Sequence, residues 1–374
     1  MGGRGGRGLA ILERVGTQGD GGTDGGTDRG TGGEALDDAL TVFAATAPWY
    51  GSVGLANHGP MAAEALVQLG RADAVAGWVD HYRMRLDEAP PPAARPLGEE
   101  DWPDALGRAD RYPEWLALFE REVADRPVAA VVGEWAPRLL PGAIGAATHG
   151  LIRTGHAVRG LSAADTGPRR LEVAAALAFW ASSYRELPGP PLLIGAEGVT
   201  RALEDLPYLP EEAPEAFLIS DRVASVALIA DEFEQAVASL GWNSGAVGLL
   251  DQLAAGGALA YLRNADAGGA IGLLHSVTAP LACELLLPWL APEDRDAALG
   301  YVWQAVAALH VAYDVDRAEP VPAGTAPPAE DLVERALASG DEHAIKLTEA
   351  ALRSFARSGE PALLLAAADS SARL

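Results

Sequence analysis

From Glu34 onward apolar residues recur every three to four positions, and runs that alternate every second residue are scarce. In DAVAGWVDHYRMRL (73–86), Val75, Trp78, Val79 and Tyr82 share one helical face. The same spacing runs through YPEWLALFEREV (112–123), RPVAAVVGEWAPRLL (126–140), RRLEVAAALAFWASSYREL (169–187) and PEAFLISDRVASVALIADEFEQAVASL (214–240). It returns in AVGLLDQLAAGGALAYLRN (246–264), DAALGYVWQAVAALHVAY (296–313) and EHAIKLTEAALRSFAR (342–357). PMAAEALVQLG (60–70) opens on proline and closes on glycine, the residues that suit a helix start and the position just past its end. PLLIG (191–195) is the one stretch that reads as a short strand. Proline-rich segments at 87–98, 187–191 and 319–331 separate the helices. No fixed-period repeat emerges, which argues against a regular solenoid. The pattern predicts an all-α fold, a single large multi-helix domain over residues 36–374.

Residues 1–35 depart from this pattern. Their GGRGGRG and GTQGDGGTDGGTDRGTGG stretches cannot bury enough apolar surface to order themselves, so a disordered Gly/Thr/Asp-rich tail is expected. GRGGRG at 3–8 matches a dinucleotide fingerprint in spacing, but no strand precedes it. Charge narrows the partners. With 52 acidic against 28 basic side chains the net charge is −24, a surface that repels phosphate backbones and anionic headgroups. The expected partner is a small molecule, neither nucleic acid nor membrane. One cysteine, Cys283, rules out an internal disulfide and fits a reducing, cytoplasmic setting. LLHSVTAPLACELLLPWL (273–290) is apolar, yet His275, Pro280 and Glu284 interrupt it, as in a buried core helix.

Of the 28 basic side chains, Lys346 alone is lysine. It follows His343 by three residues in SGDEHAIKLTEA (339–350). Ser339 and Glu342 read as a capping box, with Ser339 as N-cap and the helix starting at Gly340, which puts His343 and Lys346 on one face. A lysine on such a face commonly serves as a snorkelling stem. Burial offers a second role, because it lowers the pKa and exposes a neutral amine. Beside a divalent cation that amine can capture carbon dioxide as a carbamate, an anionic oxygen ligand. Arginine, held protonated, cannot.

Histidine occurs at positions 58, 81, 149, 156, 275, 310 and 343. None forms HExxH or pairs with the cysteine, so a metal site would have to be assembled from distant segments, as helix bundles do. His58 precedes a helix start at Pro60. His149 and His156 lie seven apart on one helical face. His275 sits in an apolar run, where a histidine is as a rule a hydrogen-bonded core residue. His81 falls at the edge of an amphipathic face.

ANHGPMAAEAL (56–66), ATHGLIRTGHAVR (147–159), LLHSVTAPLACELL (273–286) and GDEHAIKLTEA (340–350) resemble, in this order, blocks of the questin oxidase-like family. RYPEWLALFERE (111–122) and LAFWASSYRELPG (177–189) are similar too, so the resemblance runs from about residue 40 to about residue 358. It implies an oxygenase that opens a ring of an anthraquinone-like polyketide. It also implies a mononuclear non-haem iron centre of four histidines and a carboxylated lysine. Carried over by motif, the ligands are His58, His149, His275, His343 and Lys346 as carbamate. His156 and His310 would stand behind them. The implied cofactors are iron(II), dioxygen as co-substrate and, for a Baeyer–Villiger type of reaction, NADPH. Trp49, Tyr50, Trp180 and Tyr184 could line a flat pocket, with ordinary core packing as the other role for each. Four neutral imidazoles and one carbamate would leave a dication with a single net positive charge and an open position for oxygen or substrate, a donor set that suits iron(II).

Three other readings compete. One is an NADPH-dependent Baeyer–Villiger-type monooxygenase without metal, which lacks a Rossmann fingerprint in the folded region. Another is a metal-dependent hydrolase, for which only Asp341 and Asp314 lie close in sequence to histidines. The third is a non-catalytic helical binding scaffold, which scattered surface histidines would favour.

Overall fold

The computed structural model describes residues 28–98, 100–241, 244–266, 269–315, 317, 321 and 324–374. In chain order the elements are α1 (Asp28–Ala44), the strands β1 (Trp49–Tyr50) and β2 (Leu55–Ala56), α2 (Gly59–Gln68), α3 (Ala72–Tyr82), α4 (Trp102–Ala105), α5 (Tyr112–Asp125) and α6 (Val128–Leu139). There follow α7 (His149–Ala163), α8 (Gly167–Ser182), α9 (Val199–Glu204), α10 (Ile219–Ala224), α11 (Ala230–Val237) and α12 (Ala246–Asn264). The chain ends in α13 (Ala270–Leu286), α14 (Pro292–Tyr313), α15 (Ala329–Ser339), α16 (Glu342–Ser358) and α17 (Pro361–Arg373). The protein is all-α, with, among the described residues, one two-residue antiparallel hairpin pairing Trp49 with Ala56.

Two apolar cores build the body. One gathers α5 to α8 and α14 around Trp115, Phe119, Trp180 and Trp303. The other gathers α1 to α3 and α15 to α17 around Phe43, Tyr82, Tyr261 and Leu352. Helix α13 belongs to both. Its Leu273, Leu274, Val277 and Leu281 face the second core, while Ala279, Ala282, Cys283 and Leu286 face the first. By length and composition its segment Ala270–Trp289 could cross a membrane, yet 78% of its most apolar window is buried inside the fold. Burial on two sides explains an apolar run with no polar face.

Along the seam between the cores, four helices close a ring: α2 packs on α7, α7 on α13, α13 on α16, and α16 back on α2. Gly155 sets one contact of that ring. A Cβ there would lie 2.6 Å from the Ala282 carbonyl oxygen, so glycine is what lets α7 and α13 meet backbone to backbone.

The structure departs from the sequence pattern in four places. Helix α1 begins at Asp28, inside the segment assigned to the tail, because Leu36, Leu40 and Phe43 give it a buried face. Residues 1–27 of that tail lie outside the described residues. PLLIG forms no strand. Pro190 and Pro191 lack ladder donors, and only a single bridge, Glu197 to Leu240, forms nearby. The continuous helix expected over 214–240 is broken by a 3₁₀ turn, Ser225–Ile229. Val223 and Val226, three apart, are both buried there, the spacing that a 3₁₀ turn brings to one side. The N-cap before Lys346 is Asp341 rather than Ser339. Gly340 adopts φ +68°, which ends α15 and leaves the stronger carboxylate acceptor to start α16 at Glu342.

Candidate metal centre

His58, His149, His275 and His343 converge at one end of the four-helix ring. One ring nitrogen from each lies within 4.8 Å of the others. Their rings form a closed circuit with centroid separations of 4.4 Å (His58–His149), 4.6 Å (His149–His275), 5.8 Å (His275–His343) and 4.6 Å (His343–His58). The structure thus brings together four of the seven histidines, from segments almost 300 residues apart.

Each imidazole is aimed by its own local device. His58 is the N-cap residue of α2, and its backbone N–H donates to the Tyr82 hydroxyl at 2.9 Å. Asn57 holds the turn, donating to Thr46 Oγ1 and the Ala47 carbonyl while accepting from the Gly59 N–H. His149 is the first residue of α7. Ala146, Ala147 and Thr148 before it take φ of 46°, 55° and 69°, three consecutive left-handed residues that are not glycine. Such backbone is costly for residues bearing a Cβ and tends to persist only where the surroundings enforce it. Here the turn delivers the Ala146 carbonyl to His149 Nδ1 at 2.5 Å. His275 lies within α13 and donates from Nδ1 to the Ile271 carbonyl one turn back, at 2.6 Å. His343 is the second residue of α16, with Nδ1 3.3 Å from Oδ1 of the cap Asp341.

These contacts fix protons. A backbone carbonyl can only accept, so His149 and His275 carry their hydrogen on Nδ1 and present bare lone pairs at Nε2. Those two Nε2 atoms face each other at 3.1 Å in a buried space. Lone pairs so placed repel unless a cation lies between them. Metal–imidazole bonds of about 2.1 Å put neighbouring ligand nitrogens about 3 Å apart, so the donor set fits a metal ion.

Electrostatics agree with a site kept free of protons. Burial, reinforced by Lys346 and the neighbouring imidazoles, holds His58 and His149 well below the ordinary histidine value; burial, then His343 and Lys346, do the same to His275. Lys346 is 1% exposed. No carboxylate pairs with its amine among the described residues. Burial lowers it to about 8, against the partial opposing pull of Glu342 and Asp341. A substantial neutral fraction therefore exists near neutral pH.

Apart from Tyr50, the remaining sequence candidates fall elsewhere. His156 bonds to Glu64 Oε2 at 2.7 Å, and His310 lies 3.3 Å from Asp314 Oδ2. Neither belongs to the cluster. His81 is exposed. Trp180 is fully buried, its indole donating to the Gly142 carbonyl at 3.3 Å. A Cβ on Gly150 would strike that indole, so Trp180 buttresses the start of α7. Tyr184 packs over Gly142 on the same turn and donates to Glu186. Trp49 packs against Tyr112 and Phe179. Tyr50 is half-buried beside Tyr82, and its hydroxyl is pushed up by burial and then by Glu342. A pocket of about 200 Å³ lined by Leu203, Gln252, Arg263 and Asp314 shares no residue with the cluster. His343, the least buried of the four, marks the cluster's open side.

Sequence reasoning did not assign Asp341 and Glu342 as partners of the imidazoles. Glu342 is 3% exposed, with Oε1 3.5 Å from His58 Nδ1 and Oε2 3.1 Å from Arg85 Nη2. The signal lay in the acidic pair directly preceding His343, which the capping pattern absorbed.

A second polar layer crosses the same ring six to ten residues further along α2, α7, α13 and α16, about 9–15 Å away at 1.5 Å per residue. There Arg159 donates to Glu64 at 2.8 and 2.5 Å and to Glu349 at 2.5 Å, and Arg353 joins Glu349 to Glu284.

Among family models, one described as Questin oxidase-like matches residues 56–238. The matched span holds His58 and His149; His275, His343 and Lys346 lie beyond it. No curated protein matches the chain.

Proposed function

The chain belongs to the questin oxidase-like family, and on that premise we propose that it is an oxygenase whose four clustered imidazoles hold a single iron(II). Its substrate is a hydroxylated polycyclic aromatic or quinone of polyketide type. The observation that carries this reading is the pair of Nε2 lone pairs, on His149 and His275, facing each other at 3.1 Å in a buried space. Iron(II) held here would supply the electron exchange with dioxygen that organic side chains lack.

The chain's own groups prepare the site for that ion. Two backbone carbonyls keep the protons of His149 and His275 on Nδ1. Burial keeps His58, His149 and His275 neutral and therefore able to ligate. Lys346 supplies the missing negative charge: its neutral amine adds to carbon dioxide, a nitrogen–carbon bond forms, one amine proton leaves, and an anionic carbamate remains. Substrate approaches from the His343 side, where Tyr50 offers an aromatic edge and a hydroxyl that stays protonated. Elements from residue 58 to residue 346 supply the centre, so residues 36–374 act as one catalytic unit. Cleavage of a ring carbon–carbon bond with both oxygen atoms entering the product needs no outside reductant, so NADPH is dispensable. The setting is cytoplasmic, in keeping with the single buried thiol of Cys283.

Metal content by mass spectrometry, paired with oxygen uptake on a panel of hydroxyanthraquinones, tests the proposal. About one iron per chain and metal-dependent uptake without NADPH are expected. Full uptake by iron-free protein would end it.

A further inference from the structure

His58 differs from its three neighbours, and the difference concerns where its proton sits. The Nδ1 atoms of His149 and His275 are bound to carbonyls, and that of His343 faces Asp341 at 3.3 Å. His58 Nδ1 is buried and makes no hydrogen bond. Its Nε2 lies 2.5 Å from His149 Nε2. Because His149 presents a lone pair there, a hydrogen on His58 Nε2 satisfies this contact when no metal is bound. In that tautomer His58 cannot ligate through Nε2, and its bare Nδ1 faces the Glu342 carboxylate at 3.5 Å, acceptor against acceptor.

We propose that Glu342 is the positioning residue that turns His58 into a ligand: metal binding moves the His58 proton from Nε2 to Nδ1, where Glu342 accepts it in a hydrogen bond. This rests on the metal-centre reading above. The balance is simple. The Nε2 proton leaves to water, one from water arrives at Nδ1, the ring stays neutral and no net proton is released. Glu342 is suited to wait in this place. Arg85 holds its other oxygen at 3.1 Å, so the carboxylate is anchored on one side while Oε1 faces His58. The 3.5 Å gap is slightly longer than a hydrogen bond, and a small tilt of the ring away from His149 closes it. The His58–His149 bond thus latches the metal-free cavity, and the His58–Glu342 bond replaces it on loading. Carboxylates behind metal-bound histidines commonly act in this way on ring orientation and affinity.

The test uses the full chain, nitrogen-15 NMR of the histidine rings and zinc(II) as a diamagnetic probe. Metal-free protein should show His58 protonated on Nε2 and His149 and His275 on Nδ1. With zinc(II) bound, His58 should switch to Nδ1. Glu342→Gln, whose amide can donate to Nδ1 and favours the latched tautomer, should weaken zinc(II) binding about 10–100-fold in chelator competition. His58 protonated on Nδ1 in both states, or unchanged affinity in folded Glu342→Gln, overturns this inference alone. Wild-type protein that binds neither zinc(II) nor iron(II) overturns the metal-centre reading with it. Should Glu342→Gln fail to fold, as read by its helical circular dichroism, the wild-type tautomer spectra decide.

Discussion

The two polar layers of the four-helix ring are built from the same helices and solve burial in opposite ways. In the layer of Arg159, Glu64, Glu349, Arg353 and Glu284, every charge meets an opposite charge of the chain itself. In the four-histidine layer burial holds His58, His149 and His275 below the ordinary histidine value, the Nε2 atoms of His149 and His275 lie 3.1 Å apart, one Nδ1 is orphaned and, among the described residues, the amine has no ion partner. Desolvating a polar group costs free energy unless a partner compensates. One layer compensates internally and stabilises the fold; the other leaves its compensation to something the fold binds.

The comparison can be broken most forcefully at Arg159. Arg159→Met strips Glu64 and Glu349 of a shared buried partner and should cost about 3–5 kcal/mol in denaturant unfolding. A loss below about 1 kcal/mol would mean that this layer is not a structural clasp. Acid should separate the layers next. The imidazoles of His58, His149 and His275 have folded values below the ordinary one, so the unfolded chain binds protons first. Metal-free stability should fall as pH drops below about 6.5, by at most about 1.4 kcal/mol per unit for each imidazole. Glu64 and Glu349 are also held low, despite burial, by Arg159 above all. Their contribution is present above the unfolded carboxylate value and should be lost only below about pH 4. A melting temperature that is flat from pH 7 to pH 5 in metal-free protein would contradict the assignment of neutral buried imidazoles.

Lys346→Met gives the sharper distinction, because it should raise stability. Removing an amine held at about 8 rather than about 10.4 should stabilise the metal-free fold by about 1–3 kcal/mol while abolishing any carbamate. Destabilisation would show that the amine has a structural partner. The smallest effect is expected at the left-handed turn. Ala147→Gly should gain about 1 kcal/mol in thermal unfolding, since glycine adopts φ of 55° without a Cβ penalty.

What could be seen in the sequence follows the range of the forces involved. Helix spans are local, and Ala246–Asn264 was bounded correctly by periodicity alone. The hairpin at Trp49–Ala56 was not seen, since two-residue strands have no period to detect. Cap choice at α16 turned on one backbone angle at Gly340, which composition does not encode. The convergence of His58, His149, His275 and His343 was suggested by the order of motif blocks, because a solitary histidine in an apolar run looks like any core residue. Carbonyl partners such as Ala146 and Ile271 have no sequence signature. Nor does the pairing of Glu64 with Arg159 and Glu349, which depends on helices far apart in the chain.

Three of the four histidines stand at helix beginnings: His58 caps α2, His149 opens α7 and His343 is the second residue of α16. A helix carries roughly half a positive elementary charge at its amino end, so about one and a half such charges converge on the cavity from peptide dipoles alone. That field opposes a bare dication and rewards any anion beside it. A metal ion will therefore be held best in company with a negative ligand, whether a carbamate on Lys346 or the ionised phenol of an incoming aromatic.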